Sequence, residues 1–306
     1  MAQTFSAGFA SELVFGPVAP FFRLANFDLR LGVTVGSTAF ASETQFNLSA
    51  FSSQLFSIWL TLGALSVKDQ LLVEPVITFK RNEFLAALES GGLRVATQVL
   101  FVDLGSPGSP DINPGLIVEA GGLSQLDVGL HSFTGFGVTR LVEDFDTVLP
   151  CPLPELFCLG SGHPDDQPDK LVVKPFAFSE EAVRLDLASS PSFGQVTLAA
   201  TTIFTATRFT KELIEADLRI TPPSVRLAAI STFDASFSLI RDTIVVETIV
   251  GPVAWRSLTI FSGTPIAFAE QDFKLRVTFG AVSTFVTAIL DAAGLNELRF
   301  GLGIAV

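Results

Sequence analysis

The feature that most constrains this chain is a strict two-residue alternation of apolar and polar side chains. In 27–35, Phe27, Leu29, Leu31, Val33 and Val35 fall on one side of an extended strand, and Asp28, Arg30, Gly32 and Thr34 on the other. Near the far end, Phe273, Leu275, Val277 and Phe279 alternate in the same way with Lys274, Arg276, Thr278 and Gly280. A helix would scatter each set around its axis, whereas a strand collects it on one face. Residues 183–187 and 93–99 carry weaker versions of the same pattern.

The segments after each charged strand recur as well. A Ser/Thr/Phe-rich stretch comes next, at 40–51, 193–209 and 279–290, and then a return strand, at 56–65, 213–221 and 298–306. The chain thus holds three degenerate copies of a hairpin-containing unit, near 27–66, 183–221 and 273–306. Their irregular spacing excludes a solenoid of fixed period. It predicts an all-β chain of long antiparallel hairpins or a meander, forming a barrel or a stacked sandwich with little helix. Helix is predicted only for Glu83–Glu89, about two turns, and for a single turn at 179–182. Residues 47–67 carry no charge and are long enough for a membrane-spanning helix. Within them, however, Phe56, Ile58, Leu60 and Leu62 alternate with Ser57, Trp59, Thr61 and Gly63, which predicts a strand pair.

Composition limits the surroundings of such sheets. Only 16% of the 306 residues are charged, against an ordinary share of about 25%. That is too few to clothe a water-facing surface, so much apolar area should face lipid or another subunit. There are 30 Phe, two Trp and no Tyr. The net charge of −12, with 19 basic residues among 31 acidic ones, excludes nucleic acid as a partner, because phosphate binding needs clustered Lys and Arg.

The Pro/Gly/Asp-rich stretch 150–170 separates an N-terminal β half, 1–149, from a C-terminal β half, 171–306. It reads as a linker or as one long loop within a single β domain. Inside it, Cys151 and Cys158 flank a proline-rich run, which predicts a local disulfide and an oxidising compartment, with free thiols as the alternative. Ala2-Gln3-Thr4-Phe5 reads as a mature terminus from which a leader has been removed.

Chemistry-bearing patterns are scarce. The two histidines, His131 and His163, lie in an alternating strand and in the Pro/Asp loop, and no nucleophile elbow or metal-binding repeat accompanies them. His131 reads as a half-exposed strand residue; Asp165, Asp166 and Asp169 read with His163 as a solvated loop. The prediction is a protein that is not an enzyme, with no catalytic, cofactor-binding or metal-ligating residue and no cofactor.

Two readings remain. The last strand, Leu298 to Val306, alternates and runs to the C-terminus, and it resembles the closing strand of bacterial outer-membrane-type β-barrels and cell-envelope β-repeat proteins. The resemblance implies a porin-like barrel of roughly 14–18 strands, with its Phe/Leu/Val face towards lipid and its Thr/Ser/Gly/charged face inside. The chain departs from that pattern by ending in Val306 rather than an aromatic residue, and by lacking the Tyr of interfacial girdles. These departures favour the other reading. That is a secreted structural subunit at the cell surface or outside the cell, assembling with itself into a layer, filament or shell. Its N-terminal strand, 3–15, would pair with a neighbour's sheet edge.

Overall fold

The computed structural model describes residues 3–17, 22–47, 50–75, 78–106, 109–123, 128–139, 171–221 and 224–305. Cys151, Cys158, His163 and the acidic residues of the Pro/Asp loop lie outside them.

Twenty strands follow one another. The first nine are β1 (Gln3–Phe15), β2 (Phe22–Val35), β3 (Thr38–Asn47), β4 (Phe51–Leu62), β5 (Leu65–Glu74), β6 (Thr78–Ser90), β7 (Leu93–Asp103), β8 (Ile112–Leu123) and β9 (Val128–Phe136). Two short ones follow, β10 (Val138–Thr139) and β11 (Leu171–Val172). The last nine are β12 (Phe178–Ser189), β13 (Gly194–Phe204), β14 (Phe209–Ile220), β15 (Ser224–Asp234), β16 (Leu239–Val250), β17 (Val253–Ser262), β18 (Ala267–Phe279), β19 (Val282–Asp291) and β20 (Gly294–Ala305). Eighteen of them form one antiparallel sheet. Each pairs with its neighbour in sequence, β9 pairs with β12 (His131 opposite Arg184), and β1 closes the circle on β20 (Leu13 opposite Phe300). The fold is a closed 18-stranded β-barrel.

Closure overturns the self-assembling subunit. A filament built by strand addition needs a free edge, and closing a sheet into a barrel removes both. The N-terminal strand expected to reach a neighbour is instead held on both sides within the chain, by β2 and β20. The helical expectations fail as well: residues 83–89 lie inside β6 and 179–182 inside β12. Glu, Ala and Leu suit a helix in isolation. Here β6 is hydrogen-bonded between β5 and β7, with Ala87 buried on one face and Leu88 exposed on the other, so packing overrides propensity.

The two ends of the barrel differ. At one end lie the start of β1, the finish of β20 and several two-residue turns with glycine first: Gly36-Ser37, Gly63-Ala64, Gly251-Pro252 and Gly280-Ala281. Gly36 and Gly280 take φ of 61° and 58°, the left-handed value that the first central residue of a tight hairpin needs. The opposite end carries the longer connections, including the one from β9 to β12. The three repeats seen in the sequence are three consecutive strands each, β2–β4, β12–β14 and β18–β20. All begin with a strand running towards the tight turns.

The outer face is apolar. On β1 and β2 the outward positions include Phe5, Ala7 and Phe9, opposite Val33, Leu31 and Leu29. At the long-loop end this face finishes in a repeated rung. Among the described residues, eight of the nine strand pairs meeting there shift register by a residue at an apolar pair: Phe15 opposite Phe22, Phe46 opposite Phe51, Val73 opposite Phe79, Phe136 opposite Phe178, Phe204 opposite Phe209, Phe233 opposite Leu239, Phe261 opposite Phe268, and Leu290 opposite Leu295. Five of these pairs are edge-to-face phenylalanines with centroids 5.8–6.3 Å apart. The ring of aromatics sought in Tyr is therefore present, made of Phe.

One residue-pair step inside the rung, the apolar face is interrupted by hydrogen-bonded clasps. Thr44 donates to Gln54 (2.6 Å), and Gln54 donates to Ser42 (2.7 Å) and to the Glu43 carbonyl (3.2 Å). Ser132 and Thr134 donate to the two carboxylate oxygens of Glu181, at 2.5 and 2.7 Å. Ser231 donates to Asp242 (2.8 Å), and Asn82 to Asp69 (2.8 Å). Each of these polar side chains thus has its partner within the wall itself.

Candidate functional site

The inward positions of the barrel form the candidate site. From β12 round to β17 they carry a ladder of ion-paired charges. Arg184 on β12 grips Glu215 on β14 with both guanidinium nitrogens, at 2.9 and 2.6 Å, and holds Asp186 at 2.8 Å. One turn of the pattern further, Asp217 accepts from Arg219 (3.0 Å) and from Arg226 on β15 (2.9 Å). Arg226 reaches on to Glu247 on β16 (3.4 Å), and Glu247 to Arg256 on β17 (3.7 Å). Register explains the continuity: Arg219, Arg226, Glu247, Arg256 and Lys274 stand opposite one another on β14 to β18.

A second group surrounds the closing strands. Arg299 on β20 pairs with Glu297 and lies 3.8 Å from Glu12 on β1, which also accepts from Asn26 (3.4 Å). Beside it, Phe285 on β19 points inward and is buried, with the Lys274 ammonium 5.1 Å from its ring centre. The ring lies over Gly301, where a Cβ would come within 2.1 Å of it. A third group joins Arg94, which bonds Glu89 and Glu119 (2.9 Å), to His131, whose Nδ1 is 3.5 Å from Glu119. His131 is thus an inward, largely covered residue stacked against Phe133, rather than a half-exposed one.

The inner wall is not polar throughout. Towards the long-loop end, Leu100, Ile117, Ile203, Leu213 and Ile230 turn inward and are covered by Val138 on β10 and Val172 on β11. Gly115 on β8 leaves the space: a Cβ there would lie 2.4 Å from Val138. The chain on either side of residues 140–170 is therefore fastened to the inside of the wall. Ser179 adds hydrogen bonds to the amide and carbonyl of Val138, and Lys174 bonds Asp111 in the connection between β7 and β8.

The sequence singled out Arg30, Asp28, Lys274 and Arg276 as the polar members of alternating strands, and the structure turns their face inward. It did not foresee that charges far apart in the chain would interlock, nor the clasps on the outer face. Three of the clasps share a legible signal: hydroxyl residues two and four positions before one rung residue, and Gln or Glu three after the other. Ser42, Thr44, Phe46, Phe51 and Gln54 follow it; so do Ser257, Thr259, Phe261, Phe268 and Gln271.

No protein-family model matches this chain, and no curated protein matches it in sequence. Among solved structures it is similar to a triple mutant of the Rhodopseudomonas blastica porin, at 8% identity over 100% of both chains with a TM-score of 0.49. It is also similar to the outer membrane protein OpdK of Pseudomonas aeruginosa, at 8% identity over 100% of this chain and 99% of that one, with a TM-score of 0.58. The architecture is that of outer-membrane-type β-barrels.

Proposed function

We propose that the protein is a channel of a bacterial outer membrane, admitting small hydrophilic solutes through its barrel. The observation that carries this reading is the division of one closed wall into two opposite faces. Outside, phenylalanine, leucine and valine run to a ring of Phe rungs; inside, an ion-paired ladder crosses at least six strands. An aqueous assembly would have no use for that outer face, whereas lipid covers it without cost. Eighteen strands enclose a lumen of the size that passes water and solutes in porins. The likeness in fold to OpdK, which is described as an outer membrane protein, supports the same reading. Lipid is then the partner of the outer face. The charges inside serve conduction and wall stability, since those of the ladder are paired with one another.

The test is to purify the full chain in detergent and add it to a planar lipid bilayer. Stepwise ohmic conductance is expected, together with slower electrophoretic migration after boiling. Stable behaviour as ordered polymers in detergent-free buffer, with no conductance, would overturn the proposal.

A further inference from the structure

The inner wall has one shallow place among the described strands β2–β5. Ala41 and Ser57 stand side by side across β3 and β4. Small side chains in adjacent inward positions leave a depression among the longer side chains of Arg30, Glu43, Leu55, Trp59 and Gln70. The result is a cavity of about 210 Å³. Arg30, Glu43 and Leu55 border it on the long-loop side, Trp59 on the tight-turn side, and Gln70 on β5.

We propose that this depression is a binding subsite for a neutral polyol of monosaccharide size; the inference rests on the channel reading above and deepens it. Charge is the first argument. Arg30 stands directly opposite Glu43, so the site offers a cation and an anion together. A solute carrying either sign would be opposed by one of them. Hydrogen-bonding capacity is the second. A guanidinium only donates and a carboxylate only accepts, while the Ser57 hydroxyl and Gln70 carboxamide do both. Vicinal hydroxyls, each donor and acceptor, match such a mixed set. Gln70 donates to Ser57 at 3.2 Å, which fixes the orientation of its amide. Shape is the third. The Trp59 indole gives a flat apolar border, suited to the C–H face of a sugar ring. In a chain without Tyr, it is the one tryptophan turned inward, since Trp255 lies on the outer face between Thr248 and Leu275.

Two tryptophans on opposite faces make the test direct. In a Trp255→Phe protein, purified whole in detergent, all indole emission comes from Trp59. Glucose should change that emission saturably and shield it from acrylamide, while acetate and glycine should not. Gln70→Leu and Ser57→Ala, each in the Trp255→Phe background, should weaken the response about tenfold. The same protein in a bilayer should show an ion current that glucose reduces saturably. Emission indifferent to glucose, or equally responsive to acetate or glycine, overturns the subsite. A conducting channel whose emission and current ignore glucose sinks the subsite and leaves the channel standing. A saturable glucose response without conductance does the reverse.

Discussion

Gln54 and Gln271, near opposite ends of the chain, make the same three hydrogen bonds. Each carboxamide accepts from a threonine at 2.6 Å, donates to a serine at 2.7 Å, and donates to the carbonyl between them, at 3.2 Å for Gln54 and 3.1 Å for Gln271. Both sit just inside a Phe–Phe rung on the outer face. Glu181 holds its two hydroxyl donors from the same position, so acid and amide are interchangeable in geometry.

The clasp should be worth more than its exposure suggests. Gln271→Leu leaves the hydroxyls of Ser257 and Thr259 on the outer face without their partner. The expected loss is about 1–3 kcal/mol, the cost of an orphaned buried polar group. Gln271→Glu gives up the bond to the Leu258 carbonyl but can accept from both hydroxyls, as Glu181 does, and should lose less. Reversible urea unfolding in lipid vesicles, followed by the gel shift between folded and unfolded forms, measures both. Equal midpoints for wild type and Gln271→Leu would show that the clasp contributes nothing.

Gly301 and Phe285 form a second dependent pair. A methyl group at 301 would sit inside the Phe285 ring, so Gly301→Ala must push the ring off the wall. Overpacking of this kind costs about 1–3 kcal/mol. Phe285→Leu in the same protein should restore part of the loss, because the smaller side chain vacates the space. A double-mutant cycle on unfolding midpoints tests this, and strict additivity would refute it.

Strand identity was readable because every barrel strand has two different faces, as Phe27–Val35 and Phe273–Phe279 show. Closure was not, because it depends on β9 finding β12 beyond residues 140–170 and on β1 finding β20 at the other end of the chain. Local alternation carries no information about such distant pairing. The outer ring was present in the sequence but sought in the wrong residue. Phe204 and Phe209, or Phe46 and Phe51, mark hairpin ends as clearly as Tyr would. The ion-paired ladder was hidden for the same reason as closure: Arg226 and Glu247 meet only through register.

Acid should loosen the fastening beside the β7–β8 connection. The Lys174 ammonium holds the Asp111 carboxyl below its ordinary value of 3.8. A depressed carboxylate adds stability above its unfolded pKa and loses it as pH falls through the lowered folded value. The tether should therefore persist at pH 5 and break only well below pH 4. Lys174→Met should move the Asp111 titration upward, as read from its carboxyl carbon chemical shift. An unchanged midpoint would mean that the pair does not form. Both side chains are solvent-accessible, so high salt should shrink the difference.

Glu247 is the most consequential charge in the lumen. It is 1% exposed and lies between Arg226 and Arg256, on the strands either side of its own. Glu247→Gln keeps the shape and removes the negative charge, leaving the ladder with an excess of guanidinium at that height. Breaking a buried ion pair from one side costs about 3–5 kcal/mol, so the unfolding midpoint should fall. The same change makes the local potential more positive, and the reversal potential in a salt gradient should move towards anion selectivity. Arg256→Gln should move it the opposite way. The opposed signs separate an effect of lumenal charge from mere loosening of the wall, which would shift both variants alike. If neither substitution alters selectivity while both lower stability, the ladder is scaffolding and solutes pass elsewhere in the lumen.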